Sequence, residues 1–305
     1  DLYLIRHGKP QYPDKHSYCI GQTDLPLSML GHLQAVLLHE ELSDKISAIY
    51  CSPLSRAVDT ASHIAPALPH LTVSELSERN LGSWDGLSFD KIRQKWPAIY
   101  EARGKNPECP IPGAETPLES GTRFSQAISR ILHSSDSNIA VVAHTDVISF
   151  YLWMLYPEIS DIQKFRLPCG SYYHLRVDAE GNAALSDSHY ILPHPVLNDE
   201  LCRMLRNSVD LPQHVQAHSD AVTELACRLC DILKVHGYLF DQQLIRSGAL
   251  LHDIARLQKH HTKTGGDLFL QLGYPEISQI ISQHHGLKET KLDETAIVFL
   301  ADKLI

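Results

Sequence analysis

The chain has no apolar run long enough to cross a bilayer. Its longest, ISFYLWMLY at 148–156, stops at Pro157, whereas a spanning helix needs about 20 apolar residues, so no membrane partner is expected. Basic charge is in short supply as well: 27 Lys and Arg against 36 Asp and Glu give a formal net charge of −9 over 305 residues. That balance offers no basic face to a nucleic-acid polymer or to an anionic membrane surface, and any anion site must be local. A disulfide framework is missing too, because cysteines 19, 51, 109, 169, 202, 227 and 230 form an odd set with one close pair. A reducing, cytoplasmic setting is therefore expected. Cys227 and Cys230 make a C-x-x-C inside a helical pattern, without the second pair that a tetrahedral zinc site needs, and are read as helix-packing residues. The chain opens on Asp1 and shows no charged, apolar, small-residue start of the signal-peptide type.

What is present is alternation. Through residue 190, short β-rich runs take turns with helical patterns: LYLI, SMLGHLQAVLLHEEL, AIYCS, PLSRAVDTASHIAPAL, and later NIAVVAH followed by TDVISFYLWML. SYYHLRVD and AALSDSHYIL close the series. This order predicts an α/β three-layer domain with a largely parallel sheet, over residues 1–193. From about 197 the β-rich runs end and apolar residues fall at helical spacing, as in Val222, Leu225, Ala226 and Leu229. An all-α domain over 197–305 is expected, with the boundary in ILPHPVLND (191–199), where two prolines interrupt both helix and central strand.

Two of the β-rich runs end in histidine. LYLI leads to Arg6, His7 and Gly8, and AVVA leads to His144 and Thr145; parallel strands in one sheet would bring both imidazoles to the same rim, where such folds bind ligands. AIYCS leads through Ser52 and Pro53 into a helix carrying Arg56 near its N-terminus, a place that favours anions. A phosphoryl group in transfer spreads negative charge over three equatorial oxygens, which Arg6, Arg56 and His144 are suited to hold while a nucleophile lines up. Neutral imidazole is a competent nucleophile near neutral pH, so His7 can form a phosphohistidine without a metal. The leaving alkoxide needs a proton; Glu78 is the preferred general acid, with Asp85 its rival.

Arg6–His7–Gly8, GQTDLPLSMLG (21–31), SPLSRAVDTA (52–61), LSERNLGSWDG (76–86), PGAE (112–115) and VVAHTDVI (141–148) together resemble the histidine phosphatase, or phosphoglycerate mutase-like, superfamily, in the family's order. The resemblance implies that His7 is the phospho-acceptor, that Arg6, Arg56 and His144 line the phosphate pocket, that Glu78 donates the proton, and that no cofactor is needed. The G-S-W-D-G turn looks most like the α-ribazole phosphatase branch, which acts on a nucleotide-like phosphate. A mutase reading fits less well, since the stretch between Glu78 and His144 is short for the extra segments mutases carry. Lys9–Pro10 departs from the usual continuation after R-H-G. His16, His32, His39, His63 and His70 match no block and are read as surface or packing residues.

The helical domain has its own pattern: His218, His252–Asp253, His261, His284–His285 and Asp302 on successive helical segments. Donors of imidazole and carboxylate type, without cysteine, suit Mn²⁺, Fe²⁺, Co²⁺, Mg²⁺ or Zn²⁺ rather than a structural zinc site. GALLHDIAR (248–256), with HSDAVTELA (218–226), HTKTGGDLFLQLGYPEI (261–277), ISQHHG (281–286) and FLADKL (299–304), resembles the HD-domain phosphohydrolases. The resemblance implies metal ligands at His218, His252, Asp253 and Asp302, joined in two-metal members by His261, His284 and His285. His236 and His260 match no slot and are read as solvated.

The expected molecule is a bifunctional phosphohydrolase acting on small phosphorylated metabolites or nucleotides. The alternative is a single histidine phosphatase whose HD module senses a metal or nucleotide without turnover. The fusion suggests related substrates, the second domain leaving a monoester for the first.

Overall fold

The computed structural model describes residues 1–106, 108–134 and 138–305, which divide into two compact units, Asp1–Pro193 and His194–Ile305. In the first unit the chain runs β1 (Leu2–Arg6), β2 (Tyr18–Cys19), α1 (Met29–Leu42), β3 (Ala48–Cys51), α2 (Ser55–Ile64), β4 (His70–Thr72) and β5 (Leu87–Ser88). It continues through α3 (Phe89–Lys95), α4 (Pro97–Lys105), α5 (Pro117–His133), β6 (Ile139–Ala143), α6 (Thr145–Leu155), β7 (Tyr172–Val177) and β8 (Ala183–Leu185).

Six strands form one sheet in the order β4-β3-β6-β1-β7-β8, with β4, β3, β6 and β1 parallel and β7 and β8 antiparallel. The side chains show why the central strands read as unbroken apolar runs: both faces are covered. Leu2 and Leu4 of β1, with Ile139, Val141 and Ala143 of β6, pack under α5 and α6. Tyr3 and Ile5, with Ala140 and Val142, pack against α1 and α2 on the opposite face. The result is the three-layer α/β arrangement.

Strand register places the first site. β1 and β6 run side by side with Arg6 opposite Ala143, and β6 pairs on its other edge with β3, Cys51 opposite Val142. The residues that follow, His7, His144 and Ser52, therefore leave neighbouring parallel strands at one rim. Gly8 is required there because a Cβ would lie 2.3 Å from the carbonyl oxygen of Gly31, so the loop after β1 rests directly on the start of α1.

The strand expected over AALSDSHYIL is shorter than its β-rich composition suggests. Only Ala183–Leu185 pairs with β7, and Ile191 returns for a single bridge to Tyr172. The intervening Ser, Asp and Ser form turns more readily than strand.

The second unit is helical: α7 (Asp199–Ser208), α8 (Gln213–Val235), α9 (Gln242–Leu251), α10 (His261–Gln271), α11 (Pro275–Gln283) and α12 (Glu294–Leu304). Val222, Ala226 and Cys230 of α8, Ile245 and Ala249 of α9, Ile280 of α11, and Ile297, Val298 and Ala301 of α12 form its core. Cys230 is a core residue, and Cys227 accepts a hydrogen bond from Arg246 at 3.3 Å, so the C-x-x-C serves packing. The segment entering the unit is anchored to it: His194 stacks on Tyr274 with ring centroids 4.1 Å apart, and the Tyr274 hydroxyl donates to the carbonyl of Pro195. No described helix is long and apolar enough to cross a membrane.

Candidate functional sites

At the rim of the first sheet, hydrogen bonding assigns the hydrogen on the His7 imidazole. His7 Nδ1 lies 2.6 Å from the carbonyl oxygen of Gly8, which can only accept, so Nδ1 carries the hydrogen and Nε2 keeps its lone pair. Arg56 Nε donates to that Nε2 at 3.2 Å. Burial, then the charges of Arg56 and Arg6, hold the His7 pKa well below the ordinary histidine value, so the ring is neutral across the neutral range. The His144 ring stands edge-on to His7 with centroids 4.9 Å apart, and it too is held neutral by burial and by Arg56. Ser52 Oγ accepts from the amide of Leu54 and lies within hydrogen-bond distance of His144 Nε2, at 2.8 Å. His144 Nδ1 is a buried atom without a partner among the described residues. Arg6 Nε is a buried donor likewise without a partner among the described residues, while its Nη1 donates to the Leu167 carbonyl. An orphaned guanidinium donor, an unpartnered imidazole nitrogen and a lone pair at one place suit an anion with an electrophilic centre.

The two rival carboxylates separate by environment. Glu78 is 5 % exposed, and burial, followed by the charge of Asp146, pushes its pKa up to about 7. It lies against the start of α6, accepting from the amides of Asp146 at 3.2 Å and Val147 at 3.3 Å. Asp85 faces away from this chemistry. Its oxygens accept from three consecutive amides, Gly21, Gln22 and Thr23, at 2.8, 2.8 and 3.0 Å. The loop held in this way points the carbonyls of Gly21 and Thr23 at Arg56 Nη2 and Nη1, at 2.7 and 2.9 Å. Asp85 thus positions Arg56 through a loop, a function that no sequence spacing disclosed.

A second support lies behind Glu78. Arg123 grips Glu115 through Nε and Nη2 at 2.8 and 2.9 Å and also donates to the carbonyls of Glu75 and Ser77. The glutamate of PGAE therefore fixes the segment that carries Glu78. Arg6, His7, Arg56 and Glu78 open into a cavity of about 460 Å³ walled by Tyr12, Tyr18, Trp84, Tyr100 and Phe150, with Arg103 and Arg166 also in its lining. Pro10 lines this cavity, whereas the Lys9 amide and carbonyl are engaged by Gln34 and Ser28.

In the second unit the expected ligands converge. His218 is on α8, Asp302 on α12, His261 opens α10, and His252 and His284 cap the C-terminal ends of α9 and α11. His218 Nε2 is 3.0 Å from Asp302 Oδ1, and His252 Nε2 is 3.6 Å from the same oxygen. Asp253 Oδ1 lies 3.4 Å from His261 Nε2 and 3.6 Å from His284 Nε2. Three sets of donor atoms lie within 4.8 Å of one another: His218, His252 and Asp302; His252, Asp253 and His284; and His261, His284 and His285.

The residues fit a divalent cation. His252 and His284 each present Nδ1 to a backbone carbonyl, Ala249 and Ile281, at 2.7 Å, which leaves Nε2 as the lone-pair atom in both rings. Those two Nε2 atoms and Asp253 Oδ1 are buried and have no hydrogen-bond partner among the described residues. Burial, with neighbouring His284, lowers the His252 pKa to about 4, so this ring is neutral and able to ligate. Burial alone would disfavour the Asp253 charge, but His284, His252 and Arg256 outweigh it and hold the carboxylate below its ordinary range.

Comparison with known proteins agrees with this division. The family model of the histidine phosphatase superfamily (branch 1) matches residues 2–187, and that of the HD domain matches residues 215–305. The chain belongs to the histidine phosphatase superfamily. It carries an HD domain behind the phosphatase domain, and is an enzyme of the phosphatase class. Phosphoglycerate mutase-like protein 4 of Arabidopsis thaliana is 32% identical over 173 residues, covering 54% of this chain and 74% of that protein. Phosphoserine phosphatase 1 of Hydrogenobacter thermophilus is 27% identical over 190 residues, covering 60% and 90%. Among solved structures, the alpha-ribazole phosphatase of Shigella flexneri superimposes with a TM-score of 0.53 at 25% identity, covering 65% of this chain and 99% of that one.

Proposed function

We propose that this chain is a bifunctional phosphohydrolase. Its first domain is a metal-independent phosphomonoesterase for small phosphorylated metabolites, of which the α-ribazole phosphate-like and nucleotide-like kinds are the favoured class. The observation that carries this reading is the lone pair of His7 Nε2, set by the Nδ1 hydrogen bond to Gly8 and flanked by Arg56 and His144. Nε2 attacks phosphorus, the bond from phosphorus to the ester oxygen breaks, and Glu78 gives its proton to the departing alkoxide. Water then attacks the phosphohistidine and returns a proton to the Glu78 carboxylate, so inorganic phosphate leaves and the starting state is restored. Arg6, Arg56 and His144 hold the equatorial oxygens throughout, the stage at which fixed donors contribute most.

In the second domain, His218, His252, Asp253 and Asp302 would hold a divalent metal, with His261, His284 and His285 as the set for a second. When bound, such a metal lowers the pKa of a ligated water and polarises a phosphoryl oxygen. The backbone carbonyls of Ala249 and Ile281 keep His252 and His284 turned toward that metal.

Rapid quenching of the full chain during turnover tests the first site. Acid-labile, base-stable phosphate is expected on the wild type and none on His7→Ala, whose monoesterase turnover is lost. Full turnover by His7→Ala would overturn the mechanism.

A further inference from the structure

The donor atoms of the second unit divide along the two oxygens of Asp253. Oδ2 faces His252 Nε2 at 3.7 Å, on the side of His218 and Asp302, whereas Oδ1 faces His261 and His284. The unit's own cations are placed differently on the two sides. On the first, Lys303 Nζ lies 3.2 Å from Asp302 Oδ2 and leaves Oδ1, the oxygen nearest His218 and His252, to the histidines. On the second, Arg256 Nη1 lies 3.2 Å from His261 Nε2 and 3.5 Å from Asp253 Oδ1, two atoms that face each other at 3.4 Å. A guanidinium can only donate, so His261 Nε2 accepts and its one lone pair is directed at Arg256. The backbone builds this contact in: Arg256 and His261 are five positions apart, and the chain turns through His260 at φ 54°, a left-handed conformation uncommon for a residue with a side chain, directly before α10 opens.

We propose that Arg256 occupies the second cation position of the HD site, so that the domain holds one divalent ion tightly, at His218, His252, Asp253 and Asp302, and admits a second only by displacing the guanidinium. This inference rests on the metal-binding reading of the second unit and goes beyond it by fixing how many ions the site holds. A neutral imidazole keeps a lone pair on one nitrogen only, and a metal ion and a guanidinium N–H both need it, so the two exclude each other at His261. At Asp253 Oδ1 the incoming ion meets a like charge as well as an occupied oxygen. The Arg256 side chain is 45 % exposed, so it can leave toward solvent without disturbing the core, and His284 and His285 remain for the ion that replaces it.

The experiment titrates Mn²⁺ alone into the chelator-stripped full chain, as wild type, Arg256→Ala and Arg256→Lys. Calorimetry gives stoichiometry and affinity, and electron paramagnetic resonance distinguishes an isolated Mn²⁺ from a coupled pair about 4 Å apart. The quantity read is the ratio of the second dissociation constant to the first within each protein, which is insensitive to the fraction of folded chain. The wild type should take one ion tightly, show the spectrum of an isolated ion, and bind a second weakly. Losing one charged hydrogen bond and one like charge should lower the ratio roughly tenfold to a hundredfold in Arg256→Ala and give the spectrum of a coupled pair. Arg256→Lys keeps the charge and should stay near the wild type. Two ions of equal affinity in the wild type, or a ratio in Arg256→Ala within about twofold of the wild type, would overturn the inference and leave the metal reading standing. Mn²⁺ that binds neither protein and shifts neither unfolding temperature would overturn the metal reading and the inference with it.

Discussion

In the proposed mechanism Glu78 sets the pH response of the first site. Its pKa of about 7 means that the acid form, the one able to protonate a leaving alkoxide, predominates below neutrality and declines tenfold for each pH unit above. His7 is held neutral far into the acid range. The predicted kcat/KM profile is therefore flat from mildly acidic pH to about 7 and falls on the alkaline side. Glu78→Gln should lose roughly 10²–10⁴ in rate on alkyl esters, lose less on aryl esters whose leaving group needs no proton, and lack the limb near 7. A limb that persists in the variant would belong to another group. The same shift has a cost in stability: a carboxyl raised from 4.5 to about 7 contributes fully below 4.5 and loses that contribution as pH rises through 7. His7, Arg6, Arg56 and His144 could be named from the sequence because each closes or follows a strand or opens a helix, whereas Glu78 lies between the turns Ser74–Leu76 and Gly82–Trp84 and rests on its place in the LSERNLGSWDG block. Ser52 could not. It matters through a hydrogen bond that exists only once β3 lies beside β6.

At the scale of elements, the first site is held by loops whose anchors lie far away in sequence. Asp85 collects three amides of the 21–23 loop, and that loop in turn collects Arg56. Asp85→Asn keeps the shape but exchanges a carboxylate oxygen for an amide donor that faces backbone N–H groups. Hydrogen bonds to a charged group contribute about 1.5–3 kcal/mol, and loss of that order should appear as weaker binding of phosphate analogues, with orthovanadate inhibition constants rising roughly tenfold to a hundredfold. An unchanged inhibition constant would show that Arg56 holds its place without the loop. The fold at this scale was largely legible, because strands buried on both faces read as apolar runs and their helices as periodic ones. Roles such as that of Asp85 were not: the glycine-bearing turns at 21 and 86 announced two loops, but only the folded β2–β5 pair brings them together.

At the scale of the whole molecule, the proposed function puts two phosphohydrolase sites of different chemistry in one chain, and metal dependence is the property that would separate them. Chelation should leave the His7 monoesterase intact, since among the described residues the groups that could hold a metal lie in the second unit, and should abolish turnover that depends on the His218, His252, Asp253 and Asp302 cluster. Binding itself gives a second readout. A cation that binds only the folded state adds RT ln(1 + [L]/Kd), about 2.7 kcal/mol at a hundredfold excess over Kd, so Mn²⁺ should raise the unfolding temperature of the full chain. Asp253→Ala should not respond, because it removes the carboxylate central to the His252, His261 and His284 contacts. A stabilised wild type that turns over no diester, nucleotide or pyrophosphate in a broad panel would make the HD domain a sensor. Turnover lost in Asp253→Ala makes it a catalyst. If it is a catalyst, cleaving a diester or nucleotide there leaves a monoester, the group that His7 is built to attack, and the product of the second domain should be consumed by the wild type but accumulate in His7→Ala.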